Sequence, residues 1–347
     1  MTSKFSVSIL VIVMIIAASI ITNSCRKSSF KRSHPTTPLT FTVPDGFPEP
    51  VYDFTANPIT EEGFALGRKL FHDHILSKNL DVTCSSCHQQ HAGYTTFDHD
   101  LGHGTNHQHT SRNVPVIFNM AWHKEFQWDG SVNSLEQQVI TCMTAPEKMG
   151  EETGSVAAKL GADEEYRQLF ADAFGSDEIN EERISRAVTQ FVLMIVSADS
   201  KYDRMKKGAY TFNASEQNGY ELFKSKCASC HAAPLFTDLS YRNDGLPMNP
   251  THNDYGRMRV TGSAADSLKF KVPTLRNIAL TGYFGHDGRF PAFTQMIEHY
   301  SSGIEQGPTL DPSLQGGIPM TDLEKFYLQE FLFTLTDSAL VTNPMFE

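Results

Sequence analysis

Cys84-Ser85-Ser86-Cys87-His88 and Cys227-Ala228-Ser229-Cys230-His231 repeat one pattern, Cys-x-x-Cys-His, in the two halves of a 347-residue chain. That spacing is the attachment site of a c-type haem: two thiols become thioethers and the adjacent imidazole ligates iron. Zinc competes for paired cysteines, but these pairs lie far apart, unlike a zinc ribbon, and each carries its own His. A thioredoxin-type redox pair needs a βαβ setting that is missing here. Cys84, Cys87, Cys227 and Cys230 are therefore read as haem carriers, with His88 and His231 as proximal ligands. Two covalent haems in one chain point to electron transfer coupled to redox chemistry.

The remaining cysteines support export. Of six Cys, four go to haem, Cys25 follows an apolar run, and Cys142 stands alone, so no pair is left for a structural disulfide. Lys4 precedes the apolar stretch Phe5 to Ile21, the order of a secretory signal over residues 1–24. A Cys directly after such a run resembles a bacterial lipoprotein cleavage site. An uncleaved anchor is the alternative, against which Arg26, Lys27, Lys31 and Arg32 would lie on the exported side. Either way the body faces a periplasm-like oxidising compartment, and membrane contact comes only through that N-terminal lipid or anchor. The formal charge of −11 argues against nucleic acid as a partner.

Positioning these sites requires helices. Residues 25–58 are rich in Ser, Thr and Pro and read as a tether. Thr60 caps a predicted helix from Glu61 to Phe71, and Gly67-x-x-Leu70-Phe71 precedes the first haem motif. Residues 89–115 are a Gly- and His-rich loop. Further helices are expected over Asp163–Phe174 and Glu181–Val196. Ser215 is a plausible cap for a helix whose Gly219-x-x-Leu222-Phe223 repeats the earlier motif before Cys227. Thr321-Asp-Leu-Glu324 opens a last helix to about Leu335 as a capping box. Residues 232–275 read as loop, and no strand alternation is evident. The expectation is an all-α chain of two cytochrome c-like haem domains packed at an interface, over residues 59–207 and 208–347.

The sequence between and after the haem motifs resembles the bacterial dihaem cytochrome c peroxidase and MauG family. The residues that carry the resemblance are Leu101-Gly-His-Gly104, Ser111-Arg-Asn-Val-Pro115, Phe126-Gln-Trp-Asp-Gly130, Leu135-Glu-Gln-Gln138, Glu147-Lys-Met-Gly150, Phe270-Lys-Val-Pro-Thr-Leu-Arg-Asn277 and His286-Asp-Gly288. The likeness runs from about Gly63 to the C-terminus, with the motifs in matching order.

By that resemblance the N-terminal haem reacts with hydrogen peroxide and the C-terminal haem feeds it electrons from a small cytochrome or cupredoxin. His103 matches the distal His that closes the peroxidatic iron until activation. Trp128 matches the Trp lying between the haems, and Gln138 with Glu147 match the distal pair. An ungapped count lands on Lys148, and Glu151 and Glu152 are fallbacks for the carboxylate that moves a proton between the peroxide oxygens. Cys142 falls where the family has a distal-pocket Pro.

On the second haem the family's distal Met aligns with Tyr300, as in MauG-like proteins, with Met296 one helical turn earlier. A calcium ion between domains is implied, with Asn113 giving its side chain and Thr281 and Tyr283 their carbonyls. Arg276 resembles a residue beside a haem propionate, and family members are often dimers. The leading expectation is a peroxidase; a MauG-like oxidase acting on a partner protein and a non-enzymatic dihaem carrier are the alternatives.

Overall fold

Thr60 ends the extended entry to the first helix of a computed structural model that describes residues 29–347. The signal segment and Cys25 lie outside the described residues. The Thr60 hydroxyl accepts the Gly63 N–H at 3.0 Å and starts the helix Glu61–His72. Asp163 and Asn180 cap Glu164–Phe174 and Glu181–Leu193 in the same way, and Thr321 with Glu324 closes a two-way box on Asp322–Phe333. Regular structure among the described residues is helical apart from one ladder, in which Tyr241–Arg242 pairs antiparallel with Phe270–Lys271. None of these helices is long and apolar enough to cross a membrane.

Glycine sets the principal packing in each half. A Cβ on Gly67 would lie 2.0 Å from the Ala187 carbonyl oxygen, so Glu61–His72 crosses Glu181–Leu193 backbone to backbone. Gly219 stands in the same relation to Tyr327, at 1.9 Å, where Ala214–Lys226 crosses Asp322–Phe333. Phe71 then meets Phe191 at 5.0 Å between ring centroids, and Phe223 meets Phe331 at 4.9 Å. The repeated Gly-x-x-Leu-Phe is thus one helix crossing built twice.

The loops repeat as well. Asn119 and Asn277 both sit at φ 60, and Gly130 (φ 70) answers Gly288 (φ 69). The backbone bridges Phe126–Val132 and Phe284–Phe290 answer each other too. All are separated by the same 158 residues, 277 less 119 and 288 less 130. Helices start at Leu135 and at Phe293 with that same spacing.

Four expectations change. From Leu39 to Phe54 the stretch read as a tether packs against the first core, with Phe41 and Phe47 on Trp122. Its composition forbids a helix but not a close-fitting extended chain. The cap expected at Ser215 is Asn213, which accepts the Glu216 N–H at 2.9 Å while Glu216 returns the bond at 3.0 Å. The helix from Glu181 stops at Leu193, because the Ile195 carbonyl accepts the Asn119 N–H and the Asn119 amide brackets Ser197. The division at 207/208 is crossed both ways. Tyr202 joins the second core, while Leu340 and Phe346 return to the first, where the Met345 carbonyl takes Arg68.

Candidate functional site

Each Cys-x-x-Cys-His lies just after the first helix of its half. Cys84–Cys87 form one helical turn capped by Thr83 and Ser86, with His88 as its C-cap. The His88 Nδ1 pairs with the Tyr94 carbonyl at 3.1 Å, and His231 Nδ1 with the Pro273 and Phe236 carbonyls at 3.1 and 3.3 Å. Those bonds fix the tautomer and leave Nε2 free to ligate. Burial lowers the His88 pKa to about 4, with the charge of Lys148 acting in the same direction, and burial lowers that of His231 too. The four thiols of the two motifs form no disulfide, and burial pushes Cys87 up to about 11 and Cys227 to about 12. Neutral imidazoles, each oriented from behind, beside unpaired thiols are what covalent haem attachment requires.

The first site has a polar face. Gln138 lies on the helix Leu135–Thr144; its Oε1 accepts from Gln127 Nε2 at 2.9 Å, and its Nε2 donates to Cys142 Sγ at 3.2 Å. Cys142 is close enough to Cys84 and Cys87 to raise both thiol pKa values. The Glu147 carboxylate has no hydrogen bond or ion pair among the described residues, whereas Glu151 is tied to Lys159 at 2.9 Å. Glu152 instead occupies the N-cap of Thr153–Ala162. Lys148, where the ungapped count falls, brings its charge to bear on Cys87 and His88.

His103 lies on the rim of this site. Its carbonyl accepts from Cys87 Sγ at 3.8 Å, and its exposed ring sits between His99 and His109, with centroids 4.1 and 4.2 Å away. Burial and the two neighbouring imidazoles lower its pKa. The loop is seated on the distal segment: the Thr105 N–H donates to the Lys148 carbonyl at 2.7 Å, and a Cβ on Gly104 would meet the Glu147 oxygen at 2.2 Å. No group of three or more described His, Cys, Asp or Glu side chains is arranged to hold a metal ion.

Trp128 occupies the junction of the halves. Its indole N–H donates to the Asn113 carbonyl at 2.8 Å, and its own carbonyl accepts the Lys271 N–H at 2.7 Å. Asn113 Nδ2 donates to the Tyr283 carbonyl at 3.0 Å, while its Oδ1 is buried without a partner. Turning that amide over would aim Oδ1 at another oxygen, an arrangement that a hard cation reconciles. Thr281 and Tyr283 line one cleft of about 340 Å³. Arg112 clamps the junction, pairing with Asp129 at 2.8 Å and with Asp254 at 2.6 Å.

On the second site Tyr300 lies in a π-helical turn, His299–Gly303, that continues Phe293–Glu298. Such turns are frequent at functional sites because they re-aim side chains. Burial raises the Tyr300 pKa well above its usual range, and the charges of Asp244, Cys227 and Cys230 raise it further. The phenol is therefore close enough to Cys227 and Cys230 for their charge to act on it. Met296 is half-buried one turn before it. Arg276 is fully buried, bidentate to Asp203 at 2.7 and 2.8 Å, with Nε on the Pro234 carbonyl. One N–H on each terminal nitrogen makes no hydrogen bond among the described residues.

Sequence reasoning missed Gln127 and Tyr94. Tyr94 and Pro273 act through carbonyls, which no residue type announces. Gln127 had one signal: its left-handed φ of 67 falls where the second half has Gly285.

A family model described as Di-haem cytochrome c peroxidase matches residues 61–211. The methylamine utilization protein MauG of Methylorubrum extorquens is 34% identical over 312 residues, covering 88% of this chain and 86% of that protein. The cytochrome c551 peroxidase of Nitrosomonas europaea is 36% identical over 257 residues, covering 72% and 76%. Among solved structures, a MauG-like protein associated with microbial copper homeostasis superposes with a TM-score of 0.81 at 32% identity, covering 89% of this chain and 99% of that one. Paired haem-binding motifs, matched loops and this similarity along most of its length place the chain in the di-haem cytochrome c peroxidase and MauG family, whose members carry two c-type haems.

Proposed function

We propose that this chain is a peroxidase of two cytochrome c-like haem domains, reducing hydrogen peroxide to water with electrons from a small cytochrome or cupredoxin. The observation that carries the reading is the polar distal face of the first site, where Gln138 and Cys142 sit by Cys84 and Cys87. A simple electron carrier needs only a strong sixth ligand there. The haems, when bound, supply electron storage and the redox chemistry of the O–O bond.

The side chains do the rest. His88 and His231 hold the irons, and His103 closes the first site until activation. Gln138 orients peroxide, and Glu147, free of any other partner, takes a proton from the inner oxygen and delivers it to the outer one. Trp128 relays electrons across the junction it bridges. Asn113, Thr281 and Tyr283 hold calcium there; the orphaned Asn113 oxygen supports that. Arg276 gives its remaining N–H groups to a propionate. Export to the periplasm and anchoring through a lipid on Cys25 complete the reading.

Steady peroxide turnover with a reduced small cytochrome is the expected result. No turnover after full reductive activation with calcium present would contradict it.

One observation favours the MauG-like alternative, oxidation of a partner protein: Tyr300 lies in a π-helical turn, close enough to Cys227 and Cys230 for their charge to act on it. A phenolate favours higher iron states, whereas a thioether favours ferrous iron. A Met-to-iron charge-transfer band that survives Tyr300→Phe would refute Tyr300 ligation.

A further inference from the structure

The Gln138 amide is held at both ends, by Gln127 on its oxygen and Cys142 on its nitrogen. We infer that Gln127 and Cys142 are positioning residues that clamp this amide over the distal face of the first haem site. The inference rests on the peroxidase reading of that face and adds to it two residues that the reading leaves without a role.

Internal symmetry places Cys142 in the pocket. Cys142 and Tyr300 are 158 residues apart, 300 less 142, the spacing that relates the helix starts Leu135 and Phe293. Tyr300 is close enough to Cys227 and Cys230 for their charge to act on it, and Cys142 is as close to Cys84 and Cys87. The first half therefore puts a small thiol where the second half puts a phenol. A thiol is far smaller than a phenol and still offers a polar atom to Gln138.

Backbone conformation separates Gln127 from its counterpart. Gly285, again 158 residues on, has φ 86, a left-handed conformation that glycine adopts without cost. Gln127 holds φ 67 with a full side chain, a strain of the kind found at functional positions. That side chain makes one hydrogen bond, to Gln138. Cys142 Sγ likewise has Gln138 as its one hydrogen-bond partner among the described residues.

The chemistry calls for such a clamp. A primary amide presents either donors or an acceptor, and a free one rotates between them. Fixing both ends decides which group faces peroxide. Because a thiol both donates and accepts, the clamp closes whichever end of the amide meets the sulfur. Gln127 also precedes Trp128, whose carbonyl takes the Lys271 N–H from the second half. The clamp thereby ties the distal amide to the junction between the halves.

The test uses half-reduced, calcium-loaded holoprotein with cyanide as the probe of the first iron. The C–N stretch and the cyanide dissociation constant are read for Gln138→Ala, Gln127→Ala, Cys142→Ala and Cys142→Ser. Haem content and melting temperature serve as folding controls. The clamp predicts that Gln127→Ala and Cys142→Ala shift the band in the same direction as Gln138→Ala. It also predicts that they lower kcat/KM for peroxide about threefold to tenfold, the worth of one hydrogen bond. KM for the donor protein stays unchanged, and Cys142→Ser, which keeps a polar atom, restores the wild-type band.

A wild-type band in Gln127→Ala and Cys142→Ala while Gln138→Ala moves it would overturn the clamp. So would a Cys142→Ser protein indistinguishable from Cys142→Ala. A band unmoved even in Gln138→Ala would remove Gln138 from the distal face, and the functional reading of that residue would fall with the clamp.

Discussion

In the proposed function, His103 makes the first site conditional. Its loop is seated on the Glu147–Lys148 backbone through Thr105 and Gly104, so moving the imidazole means moving a packed segment. His103→Ala should therefore give resting protein that binds cyanide without prior reduction, seen as a spectral change absent from the wild type. Asp287 offers a test by pH. Burial opposes its charge, but Arg289 and Asn249 outweigh burial and hold the pKa at about 2, below the ordinary 3.8. A depressed carboxylate contributes stability above 3.8 that is lost as pH falls through about 2. Asp287→Asn should lower the melting temperature at neutral pH, by an amount that shrinks progressively as pH falls from about 4 towards 2; thermal melts across that range check it. The two Cys-x-x-Cys-His motifs were legible because thiol and imidazole chemistry is tied to residue type. The carbonyls of Tyr94 and Pro273 were not, since a backbone group carries no signature in sequence.

At the scale of elements, the capped helices were readable where a side-chain cap met an apolar stripe, as at Thr60, Asn180 and Thr321. The helices Leu135–Thr144 and Thr153–Ala162 were not delineated. They are short, and their burial depends on neighbours that sequence does not name. The extended segment from Leu39 to Phe54 escaped for a related reason: its aromatic residues find Trp122 only in three dimensions. The helix crossings carry the sharpest prediction. A methyl on Gly67 or Gly219 would fall within 2.0 Å of a facing carbonyl oxygen, which backbone cannot yield to cheaply. Gly67→Ala and Gly219→Ala should each lower stability by about 1–3 kcal/mol or more, read as a drop in melting temperature. An unchanged melt would show that the crossing is looser than described.

Across the whole molecule, the junction matters more than either half alone. Arg112, Asn113 and Trp128 from the first half meet Asp254, Lys271 and Tyr283 from the second, so the residues proposed for electron relay and for calcium share one seam with the Arg112 clamp. Calcium should raise the melting temperature of chelator-treated holoprotein, and Asn113→Ala should abolish that rise while leaving haem content intact. The central claim is that the chain holds two unequal irons, a gated reactive one at His88 and an electron-transfer one at His231. Electron paramagnetic resonance of holoprotein, resting and half-reduced, with and without cyanide, tests it most directly. Both ferric signals should ignore cyanide at rest, and after half-reduction the remaining ferric signal should shift on adding it. Two six-coordinate irons that stay inert to cyanide and to peroxide in either state would contradict the account and leave a dihaem electron carrier.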